Sequence, residues 1–266
     1  LSYPWQKQRY WRETAESFLD RNSDEKSVWF NKDLRQPYPA WEVEFSREYF
    51  PYIIDHKVQG SVVFPAASYI DAGLQLHKKL SGFNSCIIEN ISFHGMLVLN
   101  DDEEQILHLE YDRQTSSYKV FSSTLSDNLS WRLHTYGRIV SESLIERKKN
   151  VDVAELRREV YHPIDVKKQY AELEKRGLDY GPYFQSIKEC FYSEDKVLLQ
   201  LIPTIDVAPN ECEFIFHPSI LDGSFHAMLH FVKFRSGTYV PVSIKKFKIY
   251  SEVNHPCWAL ISLVKE

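Results

Sequence analysis

Asp55-His56-Lys57-Val58-Gln59-Gly60-Ser61-Val62-Val63-Phe64-Pro65 runs without a break into Ala66-Ala67-Ser68-Tyr69-Ile70-Asp71-Ala72-Gly73-Leu74. A histidine, a glycine four residues on and a proline five beyond that lead into small and apolar residues at helical spacing. Proline suits the first turn of a helix, where its missing N–H would have no partner anyway. Glycine allows a backbone conformation, or a close approach to the backbone, that other residues do not. The pattern predicts a strand–loop–helix junction, with a helix from Pro65 to about Leu80 and an apolar face of Ala66, Tyr69, Ile70, Gly73, Leu74 and Leu76. A histidine ahead of a buried helix can be a positioned base. Taken alone, the same stretch reads equally as a core histidine beside a turn glycine.

A second stretch changes that balance. His217-Pro218-Ser219-Ile220-Leu221-Asp222-Gly223-Ser224-Phe225-His226 places Asp222 and His226 at i and i+4, on one face of a helix. Around Asp222 the chain is strongly apolar: Phe214, Ile215, Phe216, Ile220, Leu221, Phe225, Met228 and Leu229. Desolvation there is expected to raise the Asp222 pKa and suit it to act as an acid. The competing reading is an aspartate that caps a helix start.

These residues resemble the dehydratase domain of modular polyketide synthases, which is related to the dehydratase of animal fatty-acid synthase. The family pattern HxxxGxxxxP is matched by His56, Gly60 and Pro65. A GxxYGPxF-like motif is matched by Gly177-Leu178-Asp179-Tyr180-Gly181-Pro182-Tyr183-Phe184, and HPxxLDxxxQ/H by His217-Pro218, Leu221-Asp222 and His226. A weaker element is matched by Trp131, His134 and Gly137. The opening Leu1-Ser2-Tyr3-Pro4-Trp5-Gln6-Lys7-Gln8-Arg9-Tyr10-Trp11 looks like the linker ahead of such domains. All elements occur in family order across nearly the whole chain.

Composition is that of an ordinary soluble globular protein. At 266 residues, 43% hydrophobic and 26% charged, the chain can bury a sizeable core. A net charge of −5 gives no nucleic-acid footprint, and the basic run Arg147-Lys148-Lys149 is short enough to be a solvated loop. No apolar run approaches the roughly 18 residues of a membrane span. The start lacks the order of a signal peptide, and because it is not Met an excised piece of a longer chain is expected. Cys86, Cys190, Cys212 and Cys257 show no CxxC spacing, which favours free thiols in a reducing cytoplasm over disulfides or zinc. His77, His94, His108, His134, His162, His230 and His255 have no partner pattern and read as structural or surface residues. No metal-ligand spacing and no phosphate-cradling loop occur.

Along the chain, residues 1–40 read as a linker and lead-in, 41–145 as an N-terminal hotdog, 146–164 as an inter-hotdog linker and 165–266 as a C-terminal hotdog. Phe45 to Tyr52 reads as extended. Cys86 to Val140 alternates in short runs, Met96–Leu99 among them, as an antiparallel meander. Helices are expected over 165–176 and from Ser219 to about Phe234, with strands at Ser243–Tyr250 and Trp258–Val264. One helix wrapped by one curved antiparallel sheet, twice over, is a double hotdog in the α+β class. The last strand run ends at Glu266, so a C-terminal strand could be missing.

The resemblance implies the chemistry. His56 would remove the α-proton of a β-hydroxyacyl thioester, and Asp222 would protonate the leaving hydroxyl. His226 would orient Asp222, Tyr180 would hold the hydroxyl, and Gly60 would offer its N–H to the thioester carbonyl. Pro65, Gly181 and Pro182 would shape the site. No cofactor is implied, since the substrate rides on the phosphopantetheine arm of an acyl carrier protein. Neighbouring synthase domains are the other implied partners, and a homodimer is compatible. An apolar tunnel walled by Val63, Phe64, Tyr183, Phe184, Leu221 and Phe225 is expected. Three alternatives remain: a double-bond-shifting isomerase, a pyran-forming cyclase and a non-catalytic scaffold. Isomerising relatives typically replace the acid and alter the proline, whereas Asp222 and Pro65 are both present here.

Overall fold

A computed structural model describes residues 27–34, 38–82, 84–100, 102–124, 130–140, 151–203, 214–232, 237–253 and 255–264. The first half is built on helix α1 (Ala66–Ser81). Pro65 sits at its N-cap with extended backbone, and Gly82 ends it in the left-handed region at φ 77°. Lys78 and Lys79 in the last turn complement the helix dipole. Residues 67–77 of α1 are all buried, so this helix lies inside the domain rather than on it.

Six strands of the first half wrap α1: β1 (Lys32–Leu34), β2 (Ala40–Glu44), β5 (Cys86–Phe93), β6 (Gln105–Asp112), β7 (Ser117–Thr124) and β8 (Arg132–Val140). With β13 (Ser243–Ile249) they form one antiparallel sheet in the order β1-β2-β6-β7-β8-β5-β13. The second half sets a smaller antiparallel sheet, β14-β12-β11-β9, against helix α4 (Pro218–Phe225). Its strands are β9 (His162–Pro163), β11 (Ile187–Tyr192), β12 (Lys196–Leu201) and β14 (Cys257–Ser262). A third, three-stranded sheet joins the halves: β4 (Ser61–Val62) pairs with β3 (His56–Val58), and β3 with β10 (Leu178–Tyr180). The expected α+β double hotdog is what the chain forms.

Close packing fixes α1 against its sheet. The Tyr118 ring of β7 is fully buried between Gly73 of α1 and Gly137 of β8. A Cβ at Gly73 would stand 2.6 Å from the ring, and one at Gly137 only 2.5 Å. The Tyr118 hydroxyl donates to the Tyr69 carbonyl at 3.2 Å. In the second half, a Cβ at Gly223 would stand 2.1 Å from Ser186 Oγ, so α4 touches its neighbours as closely.

Several sequence expectations need correction. Residues 28–34, read as lead-in, place Trp29 in the core and add β1 to the sheet edge. Phe45 to Tyr52 is not extended: the Phe50 N–H closes a turn onto the Ser46 carbonyl at 3.0 Å, and Pro51 then opens a 3-10 turn over Pro51–Asp55. Met96–Leu99 joins no sheet ladder; it bonds residues 62–64 through Phe64 N–H to Leu97 and Leu99 N–H to Val62. The polar connection contains helix α2 (Val153–Glu159), capped by Asp152, and then β9. Helix α3 (Val166–Lys175), capped by Asp165, falls where expected. The long helix from Ser219 ends at Phe225 and resumes only as α5 (Met228–Phe231). Ser224 donates its hydroxyl to the Leu221 carbonyl at 2.6 Å, a back-bond of the kind that bends helices. The opening stretch Leu1 to Trp11 lies outside the described residues, as do Cys212, Lys148 and Lys149.

Gly137→Ala tests the packing at Tyr118. Overpacking of this kind costs about 1–3 kcal/mol, so the melting temperature should fall by several degrees. Adding Tyr118→Leu should recover part of the loss. An unchanged melting curve for Gly137→Ala would mean the ring is not wedged there.

Candidate active site

His56 stands at the junction of the 3-10 turn and β3, where the backbone becomes extended. Its neighbour across the hairpin, Val63, holds it twice. The Val63 N–H donates to the His56 carbonyl at 3.0 Å, and His56 Nδ1 lies 2.8 Å from the Val63 carbonyl. A carbonyl only accepts, so Nδ1 carries the proton and Nε2 offers a lone pair. Phe184 sits edge-on to the imidazole with ring centroids 5.0 Å apart. Burial lowers the His56 pKa, outweighing the opposing pull of the Asp222 charge and the Val63 carbonyl. His56 is therefore a neutral base at neutral pH.

Asp222 comes from the second turn of α4, a helix begun by His217 at the N-cap and Pro218 behind it. Its Oδ2 lies 3.8 Å from His56 Nε2 and accepts a 2.9 Å hydrogen bond from His226 Nε2. One carboxylate oxygen thus stands between two imidazoles, with the Asp222 side chain only 6% exposed. The expected upward pKa shift is reversed. Burial does push Asp222 up, but the His226 hydrogen bond and the electrostatics of the two adjacent imidazoles outweigh it and hold the carboxyl below its usual range. The apolar neighbours were legible in the sequence; the two imidazoles on one oxygen were not.

Strand pairing brings the third element in. Tyr180 is the register partner of His56 across β10 and β3. Its ring lies 5.4 Å from that of His56 and 4.1 Å from that of His226. Burial, followed by the nearby Asp222 charge, pushes its hydroxyl well above the usual tyrosine range, so it stays protonated. The following loop is tied to Asp55, the residue before His56. The Gly181 N–H donates to the Asp55 carbonyl and the Tyr183 N–H to Asp55 Oδ2, each at 2.8 Å. A Cβ on Gly181 would lie 2.3 Å from Asp55, so glycine is required there. Pro182 opens a 3-10 turn that delivers Phe184 to His56.

Gly60 is in the exposed β3–β4 turn, where Gln59 and Gly60 have φ of 52° and 80°. It lies at the tip of the β3–β4 hairpin, four residues along the chain from the buried His56. The glycine is there for its backbone conformation. The six tunnel-wall candidates lie in or beside the packed core. Val63, Phe64, Tyr183, Phe184 and Leu221 are buried, and Phe225 is partly buried. A cavity of about 360 Å³ borders the site at Tyr180, lined also by Tyr170, Gln185 and Ile187 and, on a polar side, by Lys167, Glu174 and Asp179. Pro65 serves as the cap of α1.

Asp55, the Val63 carbonyl and Gln169 escaped the sequence reading. Gln169 of α3 donates to the His226 carbonyl at 3.3 Å. Gln169 Oε1 and His226 Nδ1 are both buried without a hydrogen-bond partner. His134 and Gly137 are structural here: His134 bridges Ser122 and the Gly95 carbonyl, and Gly137 makes room for Tyr118, while the exposed Trp131 stands beside His108. Among the described residues no three His, Cys, Asp or Glu side chains gather as a metal site, and no helix is long and apolar enough to cross a membrane. Cys86, Cys190 and Cys257 are free thiols.

A buried histidine on one half facing a buried aspartate on the other, inside a double hotdog, defines a class: acid–base domains of the dehydratase type. Comparison with known proteins places the chain within it. Residues 31–124 match the family described as polyketide synthase dehydratase domain. Residues 148–265 match that described as polyketide synthase dehydratase N-terminal domain. The chain belongs to the polyketide synthase dehydratase family. It is 26% identical to a naringenin synthase of Pestalotiopsis fici over 81% of its length, and 22% identical to polyketide synthase PksM of Bacillus subtilis over 98%. It spans only 9% and 6% of those two proteins. The dehydratase domain of the CurK module of curacin polyketide synthase superposes with a TM-score of 0.81 at 23% identity, over 90% of this chain and 88% of that one. The CurJ dehydratase domain gives 0.76 at 25% identity, over 88% and 84%.

His217 provides a pH test of this region. Its ring lies 2.8 Å from Ser219 Oγ and 3.0 Å from the Tyr183 hydroxyl, and burial brings its pKa down to about 4. The unfolded chain, with a histidine near 6.5, binds more protons than the native state between those values. Stability from this group is therefore full above about pH 6.5 and is lost as pH falls towards 4, by up to about 3 kcal/mol. Urea midpoints measured across that range should fall with pH, and less steeply in His217→Asn. Parallel curves for the two proteins would refute the assignment.

Proposed function

We propose that this domain dehydrates a 3-hydroxyacyl thioester carried on an acyl carrier protein, giving the α,β-unsaturated thioester and water. The observation that carries this reading is the 3.8 Å approach of a bare His56 Nε2 to Asp222 Oδ2 in a buried site. His56 Nε2 takes the α-proton. The C–H electron pair becomes the double bond as the β-carbon–oxygen bond breaks, and Asp222 delivers a proton to the departing oxygen. The imidazolium then returns its proton to the aspartate, restoring both groups. Each step is within the range of general acid–base catalysis.

Electrostatics bears on which partner holds the proton. Turnover needs one proton on the dyad; with His56 neutral and Asp222 ionised before substrate binds, the acid takes up that proton as the substrate enters. In the resting site the imidazoles favour an ionised Asp222. A β-hydroxyl that accepts a hydrogen bond from the acid favours the protonated form, and substrate replaces the direct His56–Asp222 contact. Turnover should therefore fall on both sides of an optimum, once the dyad loses its proton or gains a second. The closeness of the Tyr180 ring to both His56 and His226 supports Tyr180 as the group that holds the hydroxyl.

Incubation with a 3-hydroxyacyl carrier protein and mass analysis tests the reaction. Loss of one water is expected. Unchanged mass with altered retention would replace the proposal by isomerisation or cyclisation, and no change at all would favour a scaffold. His56→Ala and Asp222→Asn should each lower turnover by ~10² or more at an unchanged melting temperature. Tyr180→Phe should lower turnover while binding of a short pantetheine thioester is largely kept. If Tyr180→Phe turns over like the parent, Tyr180 has no part in the chemistry.

A further inference from the structure

Asp71 is a buried carboxylate that the acid–base scheme leaves without a role. It lies in the second turn of α1 and is fully buried. Its Oδ1 accepts hydrogen bonds from the Ile215 and Phe216 N–H groups, each at 2.9 Å. Its Oδ2 accepts from the Gln75 amide, which is in turn held by the Ser27 hydroxyl. Ile215 and Phe216 immediately precede His217, the N-cap of α4. Asp222 follows six residues after Phe216 along one continuous helix start.

We propose that Asp71 is a positioning residue for the elimination: by holding the two N–H groups just ahead of α4, it sets the distance of Asp222 from His56. Both reacting groups then hang from α1. His56 is bound through its ring to the Val63 carbonyl, two residues ahead of the Pro65 cap. Asp222 is bound through the Asp71 clamp one turn and a half further along the same helix. On its other side the 215–217 segment bonds Val253, whose N–H donates to the Ile215 carbonyl at 2.8 Å and whose carbonyl accepts from the His217 N–H at 3.2 Å. Val253 belongs to the second half. Ile215 also packs in the first-half core and Phe214 meets the Tyr52 ring at 5.7 Å, but Asp71 holds the segment's backbone N–H groups by hydrogen bonds.

Stability alone is a poor reason for this group. Burial pushes its carboxyl up to about 7 against the hydrogen bonds from Phe216, Gln75 and Ile215, and an apolar side chain would carry no such desolvation cost. What a carboxylate supplies and an apolar group cannot is a directed double acceptor. Misplacement of a catalytic group by about 1 Å can cost ~10² in rate.

The kinetic readout rests on the dehydratase reading above, so a second readout is independent of turnover. Asp71→Val removes the acceptor at similar volume, and Asp71→Asn keeps an amide oxygen for both N–H groups. With a 3-hydroxyacyl pantetheine thioester, Asp71→Val should lower kcat by ~10-fold or more with KM within ~3-fold, and Asp71→Asn should recover most of it. The His56 imidazole, followed by NMR titration, should titrate at lower pH in Asp71→Val, because the Asp222 charge that raises it has moved away. Parental kcat in Asp71→Val, a loss confined to KM, or equal losses in both variants would overturn the proposal. If Asp71→Val does not fold, Gln75→Leu, which frees Oδ2 of its partner, should show the same two changes at smaller size, and their absence overturns it. An inactive parent would remove the dehydratase reading, and the His56 titration would then decide this inference by itself.

Discussion

One carboxylate oxygen between two imidazoles is the constraint on which this molecule turns. Asp222 Oδ2 touches His226 at 2.9 Å and His56 at 3.8 Å in a region nearly closed to water. A lone charge there would be costly, and a lone imidazole facing it would be an ordinary core histidine. Together they can exchange a proton without exposing either partner. The two contacts also differ in origin. The His226 contact is local, fixed by i,i+4 spacing on α4. The His56 contact spans the two halves and exists only if the whole domain closes correctly.

The duplication serves that closure without being symmetric. α1 is long, buried and wrapped by a seven-stranded sheet, while α4 is two turns long and bends away after His226. The first half therefore acts as the frame and the second as the arm that presents the acid. Pairing of β3 with β10 is the hinge pin between them, since it sets Tyr180 opposite His56. Asp55 locks the next loop to the same strand through backbone and side chain.

Much of this was legible in the sequence because motif spacing encodes local geometry. The helix after Pro65 and the i,i+4 pair on α4 follow from short-range pattern, and the Tyr180 loop beside His56 from the family resemblance. What could not be read depends on contacts between distant segments. The direction of the Asp222 shift required knowing that His56 and His226 meet on one oxygen, whereas its neighbours in sequence were apolar and pointed the other way. Gly60 was assigned by motif membership, and only the register of the β3–β4 hairpin puts it in the exposed turn. The helix beyond Phe225 was extrapolated from hydrophobic pattern, which does not report the Ser224 back-bond.

Strand β13 has a consequence for how such domains can be recombined. It follows α4 in the chain yet pairs along β5, from Ser243 opposite Ser92 to Ile249 opposite Cys86. Chain order and spatial ownership therefore disagree. A fragment cut between the halves would leave β5 with an unpaired edge carrying the buried Ile87, Ile88 and Ile91, a template for association with other chains. The smallest portable unit is the pair of hotdogs together. Grafts between synthases that keep β5 and β13 from one parent inherit a matched seam, and chimeras joined inside the domain must rebuild it.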